Sequence, residues 1–520
     1  MSWKSEVDQI QEQRRLAAQL GGEEAVARQH ERGRLTVRER IGRLADADSF
    51  CEQGPLAGFA ERDERAGLTA FAPANYVLGL AKIDGRPCVV GGEDFTQRGG
   101  SPSPAGLRKS VYAEDLACHY RLPLVRFLEG GGGSITGSAG KGKAGGGRQR
   151  PAGDPVYVPP RFASIARILE TAPVVSAAVG AVAGFPAARL VASHLSIMTR
   201  NTSQVMVGGP ALVERAVGEK KTKDELGGPQ VHLRSGVVDN LAENEDEVVQ
   251  LVRRFLSYLP TNVSELPPRG WAADAATDPP DRCEEALLGI VPRERRKVYK
   301  MRRIVEAVLD RDSFFEMTPR YGRSQITGLA RLHGYPVGVL ANDPFFYGGA
   351  MGAEGAQKVC RFIRLCDTFH LPIVSFVDEP GFMIGSASES AGTIRYGVEA
   401  IVEAVRSRVP WASVIVRKAY GVAAAAHFGP HGRVLTWPSA EMGALPIEGG
   451  VAVAFRGEIA AAADPEAKRR ELEETFSTGR SPFPAAESFA VHDLIDPRRT
   501  RPALCDWLEW VQPLLRGLLT

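Results

Sequence analysis

The chain is 520 residues long, and its 64 Lys and Arg against 62 Asp and Glu leave a net charge of +2. That length exceeds one ordinary hydrophobic core, and the near-neutral balance gives no electrostatic footprint for nucleic acid. No run approaches the roughly 18 apolar residues of a membrane span. The N-terminal stretch MSWKSEVDQIQEQRRLAAQL has the charge and spacing of an amphipathic helix and lacks the apolar core of a signal peptide. The seven cysteines form no CxxC pair, which excludes a zinc ribbon or a thioredoxin-like motif. Reduced thiols in a cytoplasmic protein are expected.

In chain order, the apolar, β-branched stretches YVLGLAKI (76–83), PCVVGGEDF (87–95) and LPLVRFLE (122–129) read as strands. SVYAEDLACHYR (110–121) and RFASIARILE (161–170) have helical period, and PVVSAAVGAVAG (173–184) reads as a buried strand running into a glycine turn. GSAGKGKAGGGRQRPAGD (137–154) is glycine-rich, basic and loop-like. LPTNVSELPPRGWAADAATDPPDRC (259–283) carries little apolar period and marks a connector. Beyond it the plan returns: QITGLARL (325–332), PVGVLAND (336–343), the helical GAQKVCRFIRLCDTFH (355–370) and LPIVSFVDEPG (371–381). Strands alternating with helices of this length predict an α/β fold with crossover connections.

The return is a duplication. GLAKIDGRP from Gly79 and GLARLHGYP from Gly328 stand 249 positions apart, as do Gly99 and Gly348, and Leu122 and Leu371. DADSF, ending at Phe50, and DRDSF, ending at Phe314, are offset by 264, and Gly184 and Gly421 by 237. Ordered matches with small changes of offset mean two similar domains with insertions and deletions. The expected division is a first domain over 1–258, a linker over 259–283 and a second domain over 284–520.

The usual nucleophile signatures are missing: there is no G-x-S-x-G, no H-E-x-x-H, and GSAGKGK lacks the spacing of a phosphate loop. The histidines do not cluster in sequence, and isolated ones such as His232 and His370 read as structural. What remains are glycine turns at strand ends in both halves: EGGGGS (129–134) and VAGFPAA (182–188), then DEPGF (378–382) and AYGVAAAA (419–426). A glycine turn between strand and helix leaves backbone N–H groups unpaired, and two such turns side by side form an oxyanion hole. Pro186 suits a helix start and leaves Gly184 and Phe185 as the donors of its turn.

Seven segments carry a resemblance that runs through nearly the whole chain: RGRLTVRERI (32–41), EDFTQRGGS (93–101), KKTKDELGGPQVHLRSGV (220–237), FVDEPGF (376–382), RKAYG (417–421), WPSAEMGA (437–444) and SPFPAAE (481–487). The chain resembles the carboxyltransferase (β) subunit of biotin-dependent acyl-CoA carboxylases, the propionyl-CoA carboxylase type among them. The resemblance implies duplicated crotonase-like domains, with acyl-CoA on the first half of one subunit and biotin on the second half of another. It implies CO2 transfer from carboxybiotin to the α-carbon of an acyl thioester through an enolate, without a protein base. Carried over by position, Gly133, Gly184 and Phe185 form the thioester hole, and Phe382, Gly421, Val422 and Ala423 the biotin hole. Gly99, Gly100, Gly132, Lys141, Lys143, Ala424 and Ala425 are assigned to substrate binding, the two lysines as candidates for the CoA phosphates.

The chain departs from that pattern at several places. Phe185 and Val422 replace the second of two glycines, and a left-handed backbone there would be costly. Ser134 replaces an arginine, Ala424 and Ala425 a Tyr-Asp pair, and Asp239 a histidine. A helix is expected to begin at Ala424–Ala425 and to turn their methyls into an acyl pocket. No biotin-carrier or biotin carboxylase segment is present, so the expected partner is a biotin carboxylase/biotin carboxyl carrier subunit, with the biotin on that chain and no metal on this one. The resemblance also implies a homohexamer built as a trimer of dimers. Two alternatives stand beside this reading: the carboxyltransferase subunit of a biotin-dependent CoA-ester decarboxylase, or a catalytically silent structural subunit.

Overall fold

The structure, a computed structural model, describes residues 2–64, 67–131, 162–270, 278–295, 297–430, 432–477 and 481–519. They fall into two compact units, Met1–Glu265 and Leu266–Thr520. The first holds β1 (Cys51–Glu52), a hairpin of β2 (Gly58–Arg62) and β3 (Leu68–Pro73), β4 (Tyr76–Ile83), β5 (Arg86–Glu93), β6 (Leu124–Gly130), β7 (Val174–Ala183), β8 (Leu195–Thr199), β9 (Gln204–Met206) and β10 (Asn240–Ala242). The second holds β11 (Phe315–Met317), β12 (Gln325–Leu332), β13 (Tyr335–Asn342), β14 (Ile373–Glu379), β15 (Trp411–Tyr420), β16 (Arg433–Thr436), β17 (Glu441–Gly443) and β18 (Asp493–Leu494).

The main sheet of the first unit runs β1-β4-β5-β6-β7-β8-β10 with β9 beside β7, and the second runs β11-β12-β13-β14-β15-β16-β18 with β17 beside β15. Even the registers repeat. Val89 lies opposite Leu124 and Gly338 opposite Ile373; Leu124 faces Val174 and Ile373 faces Trp411; both second-strand pairings slip at one place, between Leu128 and Gly130 and between Val377 and Glu379. The chain is thus an α/β protein with two similar domains, as its internal repeat predicts. In both units the first pairs are antiparallel and the remainder parallel, so the inner strands are buried on both faces and read as continuous apolar runs.

The repeated phrase does one job twice. Gly79 and Gly328 let the short first strand close in: a methyl on either would lie 2.4 Å from the Cys51 carbonyl oxygen or 2.5 Å from that of Phe315. The hairpin tips that follow, Asp84-Gly85 and His333-Gly334, take positive φ at both residues, the geometry that matches strand twist. Asp46 accepts the N–H groups of Asp84 (3.0 Å) and Gly85 (2.7 Å); Asp310 accepts those of His333 (2.9 Å) and Gly334 (2.8 Å). DADSF and DRDSF are therefore caps for the hairpins made by the other repeated phrase.

A second pair of glycine turns sits closer to the chemistry. After β5 and β13 the chain turns at Arg98-Gly99-Gly100 and Tyr347-Gly348-Gly349, all six residues with positive φ. A methyl on Gly100 would lie 2.3 Å from the Glu129 carbonyl oxygen, and one on Gly349 2.6 Å from that of Asp378. Gly348, by contrast, has φ +65° but nothing within 4 Å. Gly348→Ala should therefore cost the left-handed strain alone, about 1–2 kcal/mol, and Gly349→Ala distinctly more. Equilibrium denaturation of the two variants tests this; equal losses would mean the end of β14 yields to the new methyl.

Candidate active site

In the first unit β7 ends at Ala183, Gly184 turns with φ 67° and ψ −130°, and a helix runs Phe185–Val191 with Pro186 in its first turn. The left-handed strain expected at Phe185 is absent, because Gly184 alone carries the positive φ and Phe185 already belongs to the helix. Its ring packs edge-on against Phe162 at 5.4 Å and beneath the Arg189 guanidinium at 4.3 Å. Gly99 and Gly100 occupy the neighbouring turn after β5. Gly132, Gly133, Ser134, Lys141 and Lys143 lie outside the described residues.

Under this turn lies a layer of buried charge. Arg126, in the middle of β6, donates to Glu114 (2.8 Å) and to the Arg189 and Ala192 carbonyls (2.8 and 3.0 Å); Arg189 donates to the same Glu114 oxygen at 2.8 Å. Glu129, at the strand end, accepts from Gln29 (2.9 Å), Arg34 (3.0 Å) and Arg40 (2.7 Å), and Arg40 also holds Glu245. RGRLTVRERI thus contributes a clamp on the end of β6. Glu93 accepts the Glu129 N–H at 3.2 Å, and burial pushes its carboxyl up to about 7 against the pull of Arg189.

The second unit repeats the frame with different side chains. Asn342, at the position of Glu93, accepts the Asp378 N–H at 2.9 Å. β15 ends at Tyr420, Gly421 takes φ 61°, and a 3-10 helix spans Ala423–His427. Val422, with φ −69° and ψ −33°, is as unstrained as Phe185, and its side chain is exposed. The expected helix at Ala424–Ala425 is this short 3-10 turn; it buries Ala424 and leaves Ala425 half-buried. The N–H of Gly421 is spent on the Gly443 carbonyl at 3.0 Å, whereas those of Val422 and Ala423 bond to none of the described residues.

Phe382 is presented differently. Met351 forms a parallel bridge with it, donating to Gly381 O (3.2 Å) and accepting from Met383 N (3.0 Å). That pattern uses the groups flanking Phe382 and turns its own N–H to the opposite side. Its ring lies against Gly397 in the helix Thr393–Arg406, where a methyl would come within 2.3 Å of it. A cavity of about 310 Å³ opens beside these turns, lined among others by Gly348, Pro380, Lys418, Tyr420, Arg295 and Arg417.

The buried side chains were invisible to motif reading. A lone arginine in LPLVRFLE was the available signal for the Arg126 layer. His427 is buried at the end of AYGVAAAAH, with Nδ1 3.1 Å from Ser375 Oγ and Nε2 3.4 Å from Glu379. Asp239 binds Ser196 N and Oγ at 2.8 Å, and His232 Nε2 lies 2.6 Å from the Val205 carbonyl; both ties hold the fold together.

Two similar sheets, each ending in a glycine turn between a strand and a short helix, define an α/β protein with the same site frame built twice. The carboxyl transferase domain matches residues 28–512, and the chain belongs to that family. It is 34% identical over 518 residues to the propionyl-CoA carboxylase carboxyltransferase subunit of Haloferax mediterranei, covering 97% of this chain and 95% of the relative. It is 32% identical over 496 residues to the methylmalonyl-CoA decarboxylase subunit alpha of Veillonella parvula, covering 94% and 92%. Among solved structures, the hexameric transcarboxylase 12S with methylmalonyl-coenzyme A and methylmalonic acid bound superposes with a TM-score of 0.83 at 30% identity, over 99% of this chain and 96% of that one. The chain is a carboxyltransferase enzyme of the biotin-dependent carboxylase type.

Glu93 makes the first unit sensitive to pH. Folded, it loses its proton near pH 7; unfolded, near its ordinary 4.5. Between those values the folded chain holds more protons, so this residue's contribution to stability falls as pH rises from 4.5 to 7, by up to about 3 kcal/mol. Glu93→Gln keeps an acceptor for Glu129 N–H and should flatten that slope. Denaturation midpoints of both proteins across the window measure the difference; parallel slopes would mean Glu93 titrates normally.

Proposed function

We propose that this chain is the carboxyltransferase component of an acyl-CoA carboxylase whose biotin is carried by a separate biotin carboxylase/biotin carboxyl carrier subunit. The observation that carries this reading is the second-unit turn, where the Phe382, Val422 and Ala423 N–H groups make no bond to the described residues. Uncommitted donors fit an acceptor oxygen on which negative charge develops, and the ureido oxygen of biotin is one. Carboxybiotin supplies the CO2 and the base when bound: its N–CO2 bond breaks, a C–C bond forms at the acyl α-carbon, and the α-proton ends on the biotin nitrogen.

This chain's own residues then have three tasks. Phe382, Val422 and Ala423 hold the biotin oxygen; Gly421 shapes the turn by its φ, its N–H being committed to Gly443. Gly184 and Phe185, with Gly133, hold the thioester oxygen as an enolate forms. Gly99, Gly100 and Gly132 let substrate approach the backbone, and Lys141 and Lys143 meet the CoA phosphates. A crotonase-like pairing of a first half with the second half of another copy makes the working unit at least a dimer and, by similarity to the hexameric transcarboxylase 12S, a hexamer. Sedimentation at assay concentration should find an oligomer; a fully active monomer overturns the shared site. Transfer of labelled CO2 from the carboxylated partner to an acyl-CoA is the direct test, and its absence with every ester overturns the function.

The reverse direction has a specific observation in its favour, the 32% identity to a methylmalonyl-CoA decarboxylase subunit. Co-purification with a membrane-bound partner instead of a biotin carboxylase would favour it.

The acyl pocket follows from Ala425, the half-buried member of the pair that replaces Tyr-Asp. Two alanines there leave room for an acyl chain longer or more apolar than propionyl. The competing possibility is that the half-buried rings of Phe185 and Phe382 fill the same space and keep the pocket small. Each added methylene should raise kcat/KM about fourfold, the equivalent of about 0.8 kcal/mol. Ala425→Asp should penalise long apolar esters more than acetyl-CoA; an equal loss on all would remove Ala425 from the pocket.

A further inference from the structure

The two donor turns of the second unit come from different strand ends, Phe382 from β14 and Val422-Ala423 from β15. For both to address one oxygen, something must fix the distance between them. Glu379, the last residue of β14, is completely buried and stands between the two. Its Oε1 accepts the N–H groups of Gly381 (3.1 Å) and Met351 (3.2 Å), the two residues that set the direction of Phe382. Its Oε2 accepts from Asn342 Nδ2 (3.0 Å) and Gln325 Nε2 (3.3 Å) and lies 3.4 Å from His427 Nε2. His427 is the last residue of the 3-10 turn that begins at Ala423, and it too is completely buried.

The donor set decides the chemistry of this centre. Burial pushes the Glu379 carboxyl up, but backbone N–H groups and side-chain amide NH2 groups only donate toward it, so both its oxygens serve as acceptors, which is the work of a carboxylate. Asn342 Nδ2 also lies 3.3 Å from Nε2, but its two hydrogens go to Glu379 and the Gly349 carbonyl at 3.0 and 3.1 Å; with a Ser375 hydroxyl proton given to Nδ1 at 3.1 Å, Nε2–H faces Glu379. The order Ser–His–Glu does not make a nucleophile, because Ser375 lies in the middle of β14 and is fully buried. In the first unit the equivalent of Glu379 is Gly130, where no such tie exists; the clamp there grips Glu129 from the N-terminal helices.

We infer that Glu379 and His427 are positioning residues of the biotin-side hole: one buried carboxylate–imidazole contact sets the Phe382 donor relative to the Val422 and Ala423 donors. This rests on the function proposed above. Neither side chain reaches the reacting atoms, so the pair acts through main-chain geometry, where a displacement of a fraction of an ångström removes a hydrogen bond to an oxyanion.

The variants are Glu379→Gln, which sets an NH2 against donors, His427→Leu, which removes the contact, and His427→Gln, whose amide can restore it. The full chain is assayed with its biotinylated partner and separately with free biotin as acceptor from a carboxylated CoA ester. Glu379→Gln and His427→Leu should each lower kcat about tenfold or more while KM for the CoA ester, bound at the other hole, stays within about twofold. His427→Gln should recover most of the rate, and the double variant should be little worse than the weaker single. Hydrogen exchange should rise in the segments around 380–385 and 420–428 and not in the first unit. Unchanged kcat, a parallel rise in KM, or additive losses would overturn the inference. Exchange changes without any transfer by the natural chain would instead sink the carboxyltransferase reading and leave the positioning contact standing.

Discussion

Both halves depend on one constraint: a parallel strand must end, slip its register by two residues, and let a neighbouring turn press against its penultimate carbonyl. The slip falls between Leu128 and Gly130 and again between Val377 and Glu379, and the pressing residues are Gly100 and Gly349. A bulge at that place re-aims the chain out of the sheet, which is how an N–H leaves the ladder and becomes available to a ligand. Close packing of backbone on backbone then makes the turn rigid, since a glycine held at positive φ against a carbonyl has nowhere to move. The rest of each site is a means of holding that strand end.

The two halves hold it by different chemistry. In the first, Glu129 is gripped by Arg34 and Arg40, and a second ionic layer of Arg126, Glu114 and Arg189 fills the space below. In the second, amides do most of the work, with Asn342 in the place of Glu93 and Gln325 beside it. Buried ion pairs contribute little net stability beside an apolar filling, but breaking one is expensive, so they fix geometry more than they stabilise. The ionic half is the one proposed to bind the CoA ester, and the amide half the one proposed to bind a neutral heterocycle. Duplication kept the backbone plan and left the side chains free to diverge.

What the sequence disclosed was the backbone plan. Offsets of 249, 264 and 237 between repeated phrases are reproduced by the strand registers, because a register is a sequence relation carried into space. Glycine turns were legible for the same reason: Gly184 and Gly421 stand where only a positive φ lets the chain turn. The charge layers and the Glu379–His427 contact were not legible: the layers join the N-terminal helices to β6 and to Glu245, 205 residues from Arg40, and the contact joins β12, β13, β14 and the turn after β15. No spacing rule announces a contact made only by crossover connections.

The replaced glycines show how a turn of this kind tolerates change. A pair of glycines at a strand end suggests that both need the left-handed region, and a phenylalanine or valine in the second place then looks disabling. Only the first needs it. At Gly184 and Gly421 φ is 67° and 61°, and the next residue starts a right-handed helical turn that any L-residue adopts. The N–H direction of that residue is set by its own φ and by the ψ of the glycine before it, so the donor survives while the side chain is free to vary. Phe185 uses that freedom to pack under Arg189, and Val422 to stand in solvent on its own unit. An exposed valine beside N–H groups that bond to none of the described residues is the arrangement expected where an apolar group covers the turn, because apolar cover strengthens an N–H hydrogen bond by excluding water.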